Sequence, residues 1–395
     1  MRLKSILCGL LIAAGGAMTP ASLAQDTPPQ VEVPANPETK AIAQGLIEDG
    51  LKASHAAEIY ADLRRTLREV YIPVLRNLVQ GDFPGVPSPD VQTAAAMAKA
   101  LTFLDYVRRA GDELDPALTE NRNTMISDIA EQIAKTAKPP ELKDVRGILQ
   151  LPAVRKSLDA FYAMTKLVTG FSYEDSRTFS NFSAWANGLD FDFSQAIPGG
   201  PEGSKRVPSK AKIAKAQAFI EDFMRLSHLD ELVADVKRFA RDVYAETAPM
   251  SEEERQDLRD QIDQFEFTYT MQRAMAVAVA PSVVASALSD DQLATLHSFV
   301  RSPAYAKASD LFRNIVKSST AFTKDDIVGA QKSFEDLDRQ SKLQERSSEE
   351  QEKAKKEWSA LAEKWSEILK NRISPETRSG LEHSLEDLQN LEPPI

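Results

Sequence analysis

The sequence predicts an all-α fold, with two related helical-bundle repeats and a set of charged C-terminal helices. Residues that favour helices dominate the chain, namely Glu, Lys, Ala, Leu and Arg. Apolar residues recur at the three- and four-residue spacing of an amphipathic helix, without the alternation typical of strands. Two blocks of sequence also occur twice in the same order, which indicates an internal duplication.

The first repeated block pairs Ile47–Tyr71 with Ile220–Tyr244. Twelve of its 25 positions are identical without a gap, and each copy contains a Ser-His pair. A serine hydroxyl can accept a hydrogen bond from a free amide at a helix start, so we expect Ser54 and Ser227 to be N-caps. Asp230 follows Ser227 by three residues and resembles the acidic partner of a capping box.

The second repeated block pairs Leu142–Asp175 with Leu293–Asp326, with ten identities in 34 positions. Each copy contains a proline at which we expect a helix to begin, because proline is tolerated in a first turn. A phenylalanine followed by a hydroxyl residue near the end of each copy predicts a further capped helix. The spacer between the blocks is 22 residues longer in the first copy, so we expect an insertion between Tyr71 and Leu142.

The repeats and the local composition divide the chain into six segments. A signal peptide over 1–24 and a flexible segment over 25–39 precede repeat 1, which covers 40–187. A linker rich in Gly, Pro and Ser covers 188–210, and repeat 2 covers 211–330. Residues 331–395 form a C-terminal helical arm, in which Ser374 and Pro375 are expected to begin the last helix.

The N-terminus has the features of a cleavable secretion signal. Arg2 and Lys4 supply the positive region, and the apolar run that follows is too short to remain in a bilayer as a helix. Small residues at Ser22 and Ala24 mark a cleavage site before Gln25. We therefore expect a periplasmic protein without a transmembrane anchor, because no later segment is long and apolar enough to span a membrane.

Charge and cysteine content exclude several classes of partner and site. Without residues 1–24 the chain has 46 Lys and Arg against 59 Asp and Glu, a net charge of −13. This balance argues against nucleic acid or anionic lipid as a partner. Cys8 leaves with the signal, so the mature chain contains no disulfide and no thiolate metal site. We expect no cofactor, and the sequence indicates no particular oligomeric state.

A motif in the second repeat resembles a known family. An acidic helix within Leu288–Lys307 leads to Phe-x-x-Ser-Pro-x-x-x-Lys, with Phe299, Ser302, Pro303 and Lys307 at the motif positions. The pattern is similar to the domain of unknown function 2059 family, small helical domains of exported bacterial proteins. The resemblance implies an all-helical periplasmic domain, and the family brings no catalytic residues to this chain.

Two histidines are the acid–base candidates. His55 and His228 occupy the same position of the first repeated block, and Glu58 and Glu231 follow them by three residues. A histidine and a glutamate at this spacing share a helix face and could act as an acid–base pair. We favour a structural interpretation, in which the glutamate stabilises the N-terminus of a helix. The chain's four histidines do not cluster in sequence as metal ligands do.

Other catalytic patterns are missing from the sequence. It contains neither the Gly-x-Ser-x-Gly turn of a serine hydrolase nor the glycine-rich loop of a phosphate site. Glycoside hydrolysis requires two carboxylates across a cleft. Because the chain contains 59 acidic residues, the sequence does not single out any one pair of them for this role. We therefore expect a protein that is not an enzyme.

The C-terminal arm contains a possible interaction surface. Trp358, Leu361, Trp365 and Ile368 follow a 3-4-3 spacing within a strongly charged helix. This stripe could bind a partner helix or another protomer. Alternatively the arm folds back and buries both tryptophans against the second repeat or the last helix, which is the arrangement that we expect.

Three hypotheses about function remain. The first is a non-enzymatic periplasmic protein that acts in protein interaction or cell-envelope support, with an unidentified envelope protein as its partner. The second is a carrier of a small apolar ligand or lipid in a groove between the repeats, lined by Phe223, Met224, Met271 and Met275. The aromatic stretch Phe179–Phe193 could line the same site or hold one domain on the next. The third is a hydrolase that acts on cell wall or peptide.

Overall fold

The computed structural model describes residues 36–83, 86–188, 208–343 and 348–390. These residues are almost entirely helical and form no β-strand, which confirms the all-α prediction. The predicted signal peptide, most of the N-terminal segment 25–39 and most of the linker 188–210 lie outside the described residues.

The predicted first repeat begins with a helix at Pro37, because the side chain of Asn36 accepts a hydrogen bond from the amide of Glu38. This start lies three residues before the predicted boundary at residue 40. Its elements are α1 (Pro37–Ala53), α2 (Ala56–Thr66), a π-helical turn (Leu67–Tyr71), α3 (Ile72–Gln80), α4 (Val91–Thr136), α5 (Pro139–Leu149), α6 (Pro152–Thr169) and α7 (Tyr173–Asn187).

The predicted second repeat has a similar element order and is followed by the arm. The elements are α8 (Lys210–Leu226), α9 (Leu229–Phe239), a π-helical turn (Ala240–Tyr244), α10 (Ala245–Thr247), α11 (Glu252–Ala287), α12 (Asp290–Val300), α13 (Pro303–Ser319), α14 (Lys324–Leu343), α15 (Ser348–Lys370) and α16 (Pro375–Gln389).

The prediction that Ser54 and Ser227 are N-caps is wrong. Both residues follow the last residue of a helix, and Ser54 Oγ donates back to the carbonyl of Leu51. A histidine instead precedes the next helix in each copy, with φ of 54° at His55 and 52° at His228. A left-handed residue cannot continue a right-handed helix, so the chain turns at the histidine.

The capping box expected at Asp230 does not form either. No side chain caps the start of α9, and the carboxylate of Asp230 accepts hydrogen bonds from Tyr269 and Arg273. Arg273 approaches with two nitrogens, each 2.7 Å from a different carboxylate oxygen. This paired geometry is stronger than a single bond to a backbone amide, which explains why tertiary contacts prevail over the local cap.

The helix starts predicted in the second repeated block are confirmed. Pro152 begins α6 and Pro303 begins α13. Ser172 caps α7 with Asp175 as its reciprocal partner, and the hydroxyl of Thr323 accepts from the amide of Asp326 in the same way. Ser374 likewise caps α16, the last helix of the arm.

The chain divides into two compact units that do not follow the predicted repeats. Unit 1 comprises Met1–Arg68, Ala95–Tyr162 and Val328–Ile395, and unit 2 comprises Glu69–Ala94 and Ala163–Ile327. The last helix of repeat 1, α7, therefore belongs to unit 2, whereas the arm belongs to unit 1.

The two units have cores of similar construction. Unit 1 buries α1 against α4 and α5, and unit 2 buries α8 against the end of α11 and the start of α12. Ala43 and Ala216 are fully buried 173 residues apart, the same spacing that relates the two copies of the first block. Leu142 and Leu293 are buried at corresponding positions of the second block, 151 residues apart.

Ion pairs also recur at corresponding positions. Arg68 pairs with Asp112 of α4, and Arg241 pairs with Asp263 of α11. Arg64 pairs with Asp115, and Lys237 pairs with Glu266. The basic residues are 173 apart and the acidic residues 151 apart, so α4 and α11 share one register. The duplication stays a prediction, and these matched pairs support it.

Candidate interaction surface

The two predicted histidines each bind an aspartate within their own unit. His55 Nε2 lies 3.0 Å from Asp159 Oδ1, and His228 Nε2 lies 3.0 Å from Asp310 Oδ1. The aspartates are identical residues of the second repeated block, 151 positions apart. Each contact fastens a left-handed turn to the helix that packs beside it, α6 or α13. The sequence contained one indication of this pairing, because the histidine and the aspartate are both present in each of the two repeats.

The glutamates that follow the histidines make different contacts. His228 Nδ1 is 3.6 Å from Glu231 Oε1, which is too long for a hydrogen bond, and Glu231 forms an ion pair with Arg313. Glu58 is exposed at the surface of unit 1. The predicted His–Glu acid–base pairs stay a prediction, and the geometry places an aspartate closer to each histidine than a glutamate.

A third histidine belongs to an ion-pair cluster that the sequence prediction missed. The carboxylate of Asp222 accepts hydrogen bonds from Arg225, His297 and Arg301, at 2.7, 2.8 and 2.5 Å. The bonds from Arg225 and His297 lower the pKa of Asp222 far below its ordinary value of 3.8. Asp49, the corresponding residue of unit 1, is 2.7 Å from Arg146. The shared Ile-Glu-Asp sequence was the signal for this contact.

A polar cleft lies between α9 and α11 in unit 2, with a volume of about 530 Å³. Four cations line it, and each pairs with a carboxylate: Lys237, Arg238, Arg241 and Arg273. Tyr269 donates to Asp230, and burial together with this bond raises the pKa of Tyr269 to about 12. The phenol therefore stays protonated at neutral pH.

An exposed apolar face lies on the C-terminal half of α11. Phe267, Met271, Met275 and Val279 recur at four-residue spacing, and their side chains are 67, 50, 57 and 47 % exposed. No charged residue occurs in the stretch 274–287. Side chains four residues apart lie on one side of a helix, so these four form a continuous stripe.

A shallow groove runs along the same helix, with a volume of about 320 Å³. Met275 lies on both the stripe and the groove. The lining residues are Gln272, Met275, Ala276, Val279, Ala280 and Val283. Of the four residues predicted to line a carrier site, Met275 lines this groove, whereas Met271 lies on the stripe, and Phe223 and Met224 belong to α8.

The tryptophan stripe of the arm packs on unit 1. Trp358 and Leu361 contact the core formed by α1, α4 and α5, and Trp365 is 5 % exposed. The expected burial against the second repeat is therefore corrected for Trp358, because the core that it contacts belongs to the first repeat. The interaction role of Trp358, Leu361, Trp365 and Ile368 stays a prediction.

The arm runs antiparallel to α4. Glu357 and Lys364 of α15 bind Gln132 and Asp128. Later residues of the arm contact positions that lie progressively nearer the N-terminus of α4. These later contacts are Arg372 with Glu120, Ser374 and Thr377 with Glu113, and Glu376 with Arg109. The arm thus covers one face of α4 over more than twenty residues.

The residues of the family-like motif have structural roles in unit 2. Phe299 stacks on Phe182 of α7 with ring centroids 3.6 Å apart, and Lys307 pairs with Asp175. Ser302 caps α13. The described part of the stretch Phe179–Phe193 thus packs α7 onto α12, and the remainder lies outside the described residues.

Comparisons with known proteins gave no match to a family model, a curated protein or a solved structure. Within the described ranges, no group of three or more His, Cys, Asp or Glu could hold a metal ion. The helices of that same part of the chain include none long and apolar enough to cross a membrane.

Proposed function

We propose that this chain is a non-enzymatic periplasmic protein that binds another protein through the apolar face of α11. The stripe from Phe267 to Val279 is the main support for this proposal. Its four large apolar side chains are about half exposed, and their contact with water is unfavourable in free energy. Contiguous apolar patches of this kind mark interaction sites more often than single exposed residues do.

The location rests on the N-terminal sequence and on the motif at Phe299–Lys307. The predicted secretion signal before Gln25 supports a periplasmic location, and so does the resemblance to the domain of unknown function 2059 family, whose members are exported helical proteins. An all-α architecture is compatible with that resemblance.

The carrier hypothesis is the second candidate. Met271 and Met275 support it, since methionine adapts to apolar ligands of varied shape. However, the groove lies along a single helix, whereas ligand sites usually enclose most of the ligand surface. An extended protein partner therefore fits this face better than a small molecule.

Site-specific photo-crosslinking in living cells tests the proposed function. A photoreactive amino acid replaces Met275 in one variant and Met164 in a control, because Met164 is 48 % exposed on another helix of unit 2. We expect a discrete crosslinked product at position 275 and none at position 164. Equal crosslinking at the two positions, or none at either, overturns the proposal. A ligand retained in native mass spectrometry would instead favour the carrier.

A further inference from the structure

The arm-covered face of α4 corresponds to the open face of α11. Because the two helices share a register, each position of α4 has its counterpart 151 residues later. The arm contacts Arg109, Glu113, Glu120, Asp128 and Gln132 of α4. The counterparts on α11 are Asp260, Gln264, Met271, Val279 and Val283.

The chemistry of this face differs between the two helices. On α4 the positions 120, 128 and 132 are polar and are matched by polar residues of the arm. On α11 the same positions are Met271, Val279 and Val283. An occupant of α11 must therefore present apolar side chains there, because a charge placed on this stripe would lose water without gaining a partner.

The two ends of the α11 face also differ in charge. Asp257 and Asp260 are exposed on the two turns before the stripe begins, whereas the C-terminal end is uncharged. An antiparallel helix, placed as the arm is on α4, would bring its own C-terminus to these aspartates. Basic residues near a helix C-terminus are favoured both by the helix dipole and by the facing carboxylates.

From these matched faces we infer that the partner presents an amphipathic helix, with an apolar stripe and a basic C-terminal end, antiparallel to α11. The inference rests on the proposed function and names the chemistry of the partner at that site. Binding resembles the docking of an apolar helix face in a hydrophobic groove.

Two other occupants fit the face less well. The arm of a second copy would place Glu357 and Lys364 against Val283 and Val279, where neither charge has a counterpart. A second α11, paired antiparallel about Met275, would place Asp260 opposite Asp290 of the other copy and would offer it no cation. A foreign helix with basic residues satisfies both the apolar stripe and the acidic end.

Fluorescence anisotropy with two synthetic probe peptides tests the inference on the full chain. Both peptides are 18-residue helix formers with four leucines at four-residue spacing and a fluorescein label. One carries three lysines in its last two turns, and the other carries three glutamates at the same places. We expect the lysine peptide to bind about tenfold more tightly, since it gains two exposed ion pairs and avoids like-charge contacts.

Variants of the protein separate the apolar and the charged contributions. Met275→Asp should weaken the lysine peptide at least about tenfold, because a buried charge replaces an apolar contact. The matched control Met164→Asp should leave its affinity unchanged. The double variant Asp257→Lys, Asp260→Lys should reverse the preference between the two peptides.

Three results would overturn the inference. Equal affinity of both peptides, unaffected by the aspartate variants, shows that charge does not select the partner. Insensitivity of peptide binding to Met275→Asp shows that the peptides bind elsewhere. Dimerisation in analytical ultracentrifugation that Met275→Asp abolishes identifies a second copy as the occupant. In each case a crosslink formed in cells at position 275 would leave the proposed function standing.

Discussion

His55 and His228 show how one residue can fix a chain reversal by both its backbone and its side chain. A left-handed φ at a residue other than glycine is uncommon, and histidine is among the residues that adopt it more readily. The ring then bonds an aspartate on the neighbouring helix, which offsets part of the backbone strain. The histidines therefore have a sufficient structural role without any catalytic one.

Replacement of His228 by glycine and by valine separates these two contributions. Both variants lose the bond to Asp310, but glycine accepts a φ of 52° freely, whereas β-branched valine does not. We expect the valine variant to be less stable than the glycine variant by roughly 1–2 kcal/mol. Urea unfolding at pH 7 measures this difference, and equal stability would contradict the assigned backbone role.

Asp222 predicts a dependence of stability on pH. Its folded-state pKa lies below the ordinary value of 3.8, so its ionised form stabilises the fold above that value. This stabilisation is lost as the pH falls below 3.8 towards the folded-state pKa. Asp222→Asn should therefore cost about 1–3 kcal/mol at pH 7, and the loss should shrink below pH 4.

An exposed aspartate provides the control for that measurement. Asp257→Asn removes a surface carboxylate and should change the free energy of unfolding little at either pH. If the Asp222→Asn deficit is the same at pH 3 as at pH 7, ionisation of Asp222 does not support the fold.

The features of single residues that the sequence predicted correctly are those that depend on neighbouring residues of the chain. Pro152, Pro303 and Ser374 began helices as expected, since their effect depends on one or two turns of chain. The prediction failed at Ser54 and Ser227, because a serine before a histidine gives no sign that the histidine will be left-handed. The bond from each histidine to an aspartate about eighty to a hundred residues away depends on tertiary packing.

At the scale of elements, the contact between α16 and α4 requires a glycine. A Cβ at Gly380 would lie 2.2 Å from the ring of Tyr106, whereas a Cβ at Gly329 in α14 would meet nothing within 4 Å. Both glycines lie in helices, so alanine is favoured at both by helix propensity.

The pair Gly380→Ala and Gly329→Ala therefore tests the arm's position. We expect Gly380→Ala to cost about 1–3 kcal/mol through overpacking. Gly329→Ala should instead stabilise by about 0.5–1 kcal/mol. Thermal unfolding compares the two, and stabilisation by both alanines would show that α16 does not pack on Tyr106.

The buried tryptophan of α15 gives a second test of the same element. Trp365→Ala should lose about 3–5 kcal/mol, because a large buried ring leaves a cavity. The indole nitrogen of Trp365 has no hydrogen-bond partner among the described residues, so Trp365→Phe removes an unsatisfied donor and should cost much less. Equal effects of the two substitutions in urea unfolding would contradict this packing.

The sequence anticipated the burial of this stripe but not its location. The 3-4-3 spacing of Trp358, Leu361, Trp365 and Ile368 indicated one apolar face. Helical spacing identifies which side chains share a face, but it carries no information about the surface that they cover. The open face of α11 was also not predicted as a surface, although two of its methionines were singled out.

At the scale of the whole molecule, export remains the simplest prediction to test. Protein recovered from cells should begin at or near Gln25 and should lack Cys8, because Ser22 and Ala24 are the small residues that a signal peptidase requires before its cleavage site. N-terminal sequencing of the purified protein decides this, and a chain that retains residues 1–24 in the cytoplasm would refute it.

The corresponding faces of α4 and α11 differ in accessibility, because the arm covers the first and leaves the second open for a partner. Cysteine labelling tests it directly, since a Cys8→Ser background contains no other cysteine. Single cysteines replace Asp128, whose side chain is 23 % exposed, and its counterpart Val279, which as a whole residue is 47 % exposed. We expect faster maleimide labelling at position 279 than at 128, and slower labelling at 279 when the lysine peptide is added. Equal or faster labelling at position 128 would show that the arm does not protect this face of α4.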